Sequence, residues 1–162
     1  MSSESRRPGL EVNGSFVVDS PRSAVYDFLI DTASFPVADA AMVDWSPHGL
    51  MVVGTDGTMR RRVGGGMTVK TTWHVVELVP GVRIVIDVRG MGYEMREVIE
   101  LREAGAATEV RVLDSLTGTS LPGRLFVAAS KGFVRRDIEA RSGRLQAALG
   151  NGGASAGDSP VS

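Results

Sequence analysis

Four consecutive runs between Met67 and Leu116 alternate at period two, and each ends in a turn of only a few residues. Met67–Leu78 places Val69, Thr71, Trp73 and Val75 on one face, and Pro80-Gly81 turns it into Val82–Arg89. Gly90 separates that run from Met91–Leu101, where Tyr93, Met95, Ile99 and Leu101 share a face opposite Glu94, Arg96 and Glu100. Ala104-Gly105-Ala106 then leads into Thr108–Leu116, with Val110, Val112 and Leu116 in register. Strands joined so tightly have no room for a crossover and must pair as antiparallel neighbours. After Gly118 the period changes. Pro122–Leu149 carries Phe126, Ala129, Phe133, Val134, Ile138, Leu145 and Leu149 along one side, a helix of about 35–40 Å. One helix covers one face of a sheet, so the other face should meet water. A twisted sheet curled around a single helix encloses a space between them.

The first third of the chain supplies the remaining elements. Glu11–Asp19 reads as a strand with Val12, Gly14, Phe16 and Val18 on one face. Ser20-Pro21 is a cap-and-first-turn pair for a helix over Pro21–Ile30, with Val25, Phe28 and Leu29 as its apolar side. Asp31–Ala41 reads as a second, shorter helix interrupted by Pro36; Met42–Ser46 is a short strand, and Pro47-His48-Gly49 and Asp56-Gly57 are turns. Gly64-Gly65-Gly66 resembles a phosphate loop only superficially, because no lysine-serine pair and no helix follow it; it reads as a hairpin connection. Gly132 costs its helix about 1 kcal/mol and marks either close packing or a slight bend. The expected class is α+β: a curved antiparallel sheet of six to seven strands wrapped around a long C-terminal helix, with two short helices after strand 1. Residues 10–150 form the expected single domain, between a polar tail over 1–9 and a Gly/Ser-rich tail over 151–162.

Composition removes several function classes. The 162-residue chain has no cysteine, which excludes disulfides, thiolate metal sites and cysteine nucleophiles. Two histidines distant in sequence, His48 and His74, make no metal motif, and no cofactor fingerprint is present. A net charge of -1 gives no global attraction to nucleic acid or anionic lipid. No apolar stretch approaches the roughly 18 residues of a membrane span, so membrane insertion is not expected. With no apolar segment behind Met1–Gly9, the expected location is cytoplasmic. The oligomeric expectation is a monomer or a homodimer.

Three passages resemble one superfamily. The opening Val17-Val18-Asp19-Ser20-Pro21-Arg22-Ser23-Ala24-Val25-Tyr26-Asp27-Phe28-Leu29-Ile30-Asp31, the hairpin run through Val75–Ile86, and the final helix approached through Leu121-Pro122 follow the order of START-like proteins. This helix-grip, birch-pollen-allergen-like superfamily (SRPBCC) includes the polyketide cyclase/dehydrase and lipid transport family. The resemblance covers about Val12 to Leu149 and implies a cavity for a hydrophobic or amphipathic small molecule between sheet and C-terminal helix. It carries over no catalytic motif.

Residues for such a cavity follow from register. Trp73, Tyr93, Met95, Val112, Phe126, Ser130 and Phe133 are candidates for its wall, together with two anomalous carboxylates. Glu97 shares parity with Tyr93 and Met95, and Asp114 shares it with Val112 and Leu116. Pairing about Gly105 brings position 97 opposite positions 112–114, so the two acids should be neighbours. Each either regains water at a bulge or sheet end, or binds a ligand, or holds a proton at raised pKa. Arg60-Arg61-Arg62 reads first as a solvated strand; the alternative is that Arg61, on the face opposite Arg60 and Arg62, turns inward to a ligand carboxylate or to Glu97. Trp45 is either part of a lid or an anchor for the 31–47 passage. Three functions fit: binding of a lipid or polyketide-like molecule, a cyclase/dehydrase-type enzyme, or a protein-interaction module.

Overall fold

The computed structural model describes residues 9–62 and 64–152. The expected tails lie outside these residues, apart from Gly9, Asn151 and Gly152, as does Val63. The sheet has seven strands: β1 (Leu10–Val18), β2 (Met42–Ser46), β3 (Asp56–Arg62), β4 (Thr68–Val79), β5 (Arg83–Gly90), β6 (Tyr93–Ala104) and β7 (Ala107–Gly118). Their order is β1-β7-β6-β5-β4-β3-β2, antiparallel throughout. From β2 to β7 each strand pairs with its successor, the arrangement that the short turns require. β1 closes on β7 instead, so β1 and β2 occupy opposite edges. Two short helices, α1 (Arg22–Leu29) and α2 (Phe35–Ala38), carry the chain between those edges, with a single 3-10 turn at Thr32–Ser34 between them.

Local chemistry departs from expectation at three places. Ser20 does not cap α1: Pro21 holds the cap position, and the Ser20 carbonyl accepts from the buried Thr108 hydroxyl at 2.7 Å. That contact fixes the helix start to β7 instead of to its own side chain. Asp56 and Gly57 are not a turn but the first residues of β3, with Gly57 under the Trp73 ring. A methyl group on Gly57 would lie 2.2 Å from that ring, so the small residue serves packing.

The long C-terminal helix is two helices, α3 (Leu121–Ala129) and α4 (Lys131–Gly152), and α4 runs past the stop expected at Gly150. They break at Ser130, whose amide turns to Val127 O while its hydroxyl takes Phe126 O at 2.7 Å. A serine that satisfies a carbonyl four residues back in this way bends a helix. Nothing lies within 4 Å of a side chain at Gly132, so that glycine is neither close-packed nor the bend itself. The buried stripe across both helices is Gly123, Val127, Ser130, Val134, Ile138, Arg141 and Leu145. Phe126 and Phe133 stand one position off it and are 53 % and 60 % exposed, so they do not belong to the packed side expected for them. Ser120 caps α3 by accepting from the Gly123 amide at 3.1 Å.

The main core joins β1, β5, β6 and β7 to α1, α3 and α4 through Val12, Val18, Val25, Ile84, Leu101, Val110, Val112, Ile138 and Leu145. A second cluster, Met51, Met59, Trp73, Val75 and Val88, lies under the other half of the sheet. Two glycines set how closely the layers approach. At Gly14 an added Cβ would stand 2.7 Å from Ile138 Cγ2, and at Gly123 it would stand 1.7 Å from Gly92 O. The second obstacle is backbone and cannot swing aside. Gly123→Ala should therefore lower stability by about 1–3 kcal/mol. Gly132→Ala, in an open helical position, should raise it by roughly 0.5–1 kcal/mol. Urea midpoints of the two variants check both signs.

Candidate functional site

Between the concave face of the sheet and α2, α3 and α4 lies a cavity of about 150 Å³. Its apolar wall comes from Phe35 on α2, from Met42, Met59, Trp73, Ile86, Val88 and Leu116 on the sheet, and from Val134 on α4 opposite. Trp73 is the fixed centre of that wall: its indole N–H donates to Thr58 O at 3.3 Å, and Phe35 meets it edge-on at 5.3 Å. Phe126 packs on Tyr93 at 5.2 Å, and with Phe133 it forms the exposed mouth.

Eight of the nine residues expected to line such a space do so: Trp73, Tyr93, Met95, Glu97, Asp114, Phe126, Ser130 and Phe133. Val112 does not. It pairs across from Gly14 and Ile99, where the sheet meets α4, and is buried in the main core. The wall also includes Phe35, Ala38, Asp39, Asp137 and Arg141, which sequence reasoning missed. Trp45 lies outside the cavity, against Phe35 at 6.4 Å and His48 at 5.3 Å, and anchors the 31–47 passage.

The deep end is polar. Glu97 and Asp114 stand directly opposite each other on β6 and β7. Arg141, on the buried stripe of α4, donates to Glu97 Oε2 at 3.0 Å and lies 3.6 Å from Asp137 Oδ2. The partner of Glu97 is thus Arg141 and not Arg61, because α4 lies over β6 and β7 while β3 lies three strands from β6. Arg61 does turn inward, but to Asp39, with which it forms an ion pair on the cavity's opposite wall.

Burial, then the Glu97 charge, pushes the Asp114 carboxyl up to about 8, and Arg141 only partly opposes this. Asp114 is therefore protonated at neutral pH. For Arg141 burial disfavours the charge, but the neighbouring acids, Glu97 and Asp137 and also Asp114 when it is ionised, hold the guanidinium above its ordinary range. Asp114 Oδ1 and Arg141 Nε are both buried without a hydrogen-bond partner among the described residues. Burial also pushes the Tyr93 phenol up, so it is a neutral hydroxyl in this wall. Two polar atoms beside the cavity thus have hydrogen-bonding capacity left, Arg141 Nε–H as a donor and Asp114 Oδ1, next to Glu97 and Asp137, whose charges Arg141 and Arg144 together meet.

Two outcomes follow from this geometry. An unfolded aspartate titrates near 4, so the stability associated with protonated Asp114 is complete below about pH 4 and is lost as pH rises through about 8. Urea unfolding at about pH 5 and about pH 9 should show a loss on the order of a few kcal/mol that Asp114→Asn flattens. Phe133→Ala, at a 60 % exposed position, should cost less than about 1 kcal/mol, where a close-packed phenylalanine would cost about 3–5.

No protein-family model and no curated protein matches this sequence. Solved structures do match in shape. TTHA0849 from Thermus thermophilus shares 14 % identity at a TM-score of 0.72, over 88 % of this chain and 99 % of that one. CV1439 from Chromobacterium violaceum gives 16 % and 0.62, over 84 % and 96 %. The allergen Ara h 8.0201 gives 12 % and 0.61, over 85 % and 98 %. At such identities the likeness is one of fold alone, a curved seven-stranded antiparallel sheet gripping a C-terminal helix.

Proposed function

We propose that this protein binds a small amphipathic molecule, with an apolar ring or chain end against Trp73 and a neutral polar group at Asp114 and Arg141. The observation that carries this reading is a pair of unpartnered, buried polar atoms, on Asp114 and Arg141, at one end of a cavity whose wall is mainly apolar apart from the Arg61–Asp39 ion pair across from them. Buried polar groups are rarely left unsatisfied, and a ligand atom that completes them supplies the hydrogen bonds the protein itself does not. Charge selects the partner. Arg141 is already balanced by Glu97, and Asp137 is shared between Arg141 and Arg144, so a ligand carboxylate would be repelled by two acids, whereas an uncharged ketone, ester or phenol oxygen would not.

Size selects it further. A cavity of about 150 Å³ matches one benzene-sized group and falls short of the roughly 300–1,000 Å³ of pockets that enclose drug-sized ligands. A lipid or polyketide-like molecule would therefore enter by one end and leave the rest at the mouth, between Phe126 and Phe133. Titration with acetophenone, followed by nitrogen–proton correlation spectra, should shift the Trp73 indole signal saturably and leave that of Trp45 in place. Native mass spectrometry should find a retained small molecule in freshly purified protein. Failure of both would leave the filled-core, protein-interaction reading.

The raised Asp114 pKa favours a second reading, a cyclase/dehydrase-type enzyme. A ketone oxygen that accepts from Arg141 Nε–H and from the Asp114 hydroxyl is polarised, and Asp114 is the proton donor as charge develops on it. In that case Asp114→Asn should retain acetophenone binding and abolish cyclisation of a poly-β-ketone thioester.

A further inference from the structure

The open end of the grip concentrates two things that the rest of the surface keeps apart. One is exposed apolar side chain. Met91, at the β5–β6 turn, is 87 % exposed, Leu121 and Leu125 on α3 are 71 % and 67 % exposed, and Met67 beside the β3–β4 connection is 66 % exposed. Phe126 and Phe133 continue this patch into the mouth of the cavity. Strand direction puts these sites together: β5 ends and β6 begins here, β7 runs out at Gly118 opposite Tyr93, and α3 starts against Gly92.

The other is unpaired positive charge. Eight lysines and arginines among the described residues have no carboxylate within 4 Å, and seven of them stand in two segments. Arg60, Arg62 and Lys70 belong to the β3–β4 hairpin, and Arg124, Lys131, Arg135 and Arg136 belong to α3 and the first turns of α4; all are exposed. Only Arg102 lies elsewhere. Neither segment contains an acid: residues 57–76 and 115–136 have no aspartate or glutamate. Glu94, near the β5–β6 turn, is paired with Arg89. A chain of net charge -1 therefore carries a positive end.

From this arrangement we infer that the open end docks on an anionic lipid surface, with Met91, Leu121 and Leu125 entering the headgroup boundary and the ring of cations facing lipid phosphates and carboxylates. Protruding apolar tips on three separate elements suit a fluid interface, which needs no matching shape, better than a rigid protein groove. The cations draw the patch to an anionic leaflet, where isolated apolar tips alone would bind weakly. The contrasting surface supports the choice: Leu50, Val52 and Val53 are also exposed, yet residues 46–59 hold no lysine or arginine. The expectation of no membrane insertion came from net charge and span length, and neither measures a local patch. No helix among the described residues is long and apolar enough to cross a membrane, so this contact is with one leaflet. It also aims the cavity mouth at the lipid.

Flotation of the full chain with vesicles tests this. Vesicles of equal parts phosphatidylcholine and phosphatidylserine should carry the protein at about 0.1 M salt, and vesicles of phosphatidylcholine alone should not. Leu121→Ser with Leu125→Ser should weaken flotation by about tenfold or more. Arg124→Glu with Lys131→Glu should abolish it. Leu121 and Leu125 do not line the cavity, so acetophenone binding by the serine variant should be unchanged, which separates failure here from failure of the ligand reading and reports that the variant folds. Absence of flotation on the mixed vesicles, or flotation undiminished by the serine changes, overturns the inference. So does a dimer in sedimentation velocity that the serine changes dissociate, which would make the patch an interface between two copies of this chain.

Discussion

A guanidinium taken out of water must be met by charge, and Arg141 is the point where this requirement organises the molecule. Its position on the buried stripe of α4 would otherwise be a defect of several kcal/mol. Glu97 reaches it from β6 and Asp137 from one turn earlier on the same helix. Arg141 and Arg144 together meet the charges of Glu97 and Asp137, and the third acid, Asp114, is held protonated instead of being met by another base. The register of β6 against β7, the rotation of α4 about its axis and the protonation state of the cavity floor are thus one linked choice. Removing one partner would strand a charge, whereas replacing the whole group with apolar residues of similar volume is often tolerated. The retention of such a costly arrangement is physically sensible where the polar floor has a ligand to meet.

The second organising feature is the interruption at Ser130. Turning the chain there lets α3 seat its glycine against the β5–β6 turn while α4 crosses to β1, where Gly14 admits Ile138. The space left between them is the mouth. Phe126 and Phe133 flank the break and are exposed because neither half-helix turns them toward the core.

Much of the architecture was legible because alternation and hairpin-length turns leave an antiparallel meander few alternatives. The Glu97–Asp114 juxtaposition was legible for the same reason: register about a short turn is arithmetic. The two charged partners were not. Arg141 stands at a spacing of three after Ile138 and four before Leu145, and that position in an apolar stripe was the available signal. It was hidden because Gly123 and Ser130 also occupy the stripe, so the visible apolar pattern of Phe126, Ala129 and Phe133 pointed one residue away. Asp39 gave no periodic signal, since α2 is one turn long and its orientation is set by tertiary contacts. Arg61 reads more simply as part of a solvated strand, and its inward turn to Asp39 depends on which elements close over β3, which pairing distances within the sheet cannot supply. Val112 was assigned to the cavity by parity alone, which identifies a face of the sheet without saying whether the helix above it touches or stands off.

The walls of the cavity are unequally held. The sheet side is locked by twelve-residue strands in continuous ladders. The opposite side depends on α2, four residues with none fully buried, tied to α4 through Arg144, which donates to Val37 O at 2.7 Å and to Ala38 O at 2.8 Å. Opening this side means lifting Phe35 off Trp73 and parting Asp39 from Arg61 as well as breaking those two bonds, a local event that leaves the strand ladders intact and costs less than global unfolding. In hydrogen-exchange terms the cavity has a slow half and a fast half. The resting volume is then a lower bound on capacity, and how far the cavity can widen is set by the contacts of one short helix, not by the rigidity of the sheet.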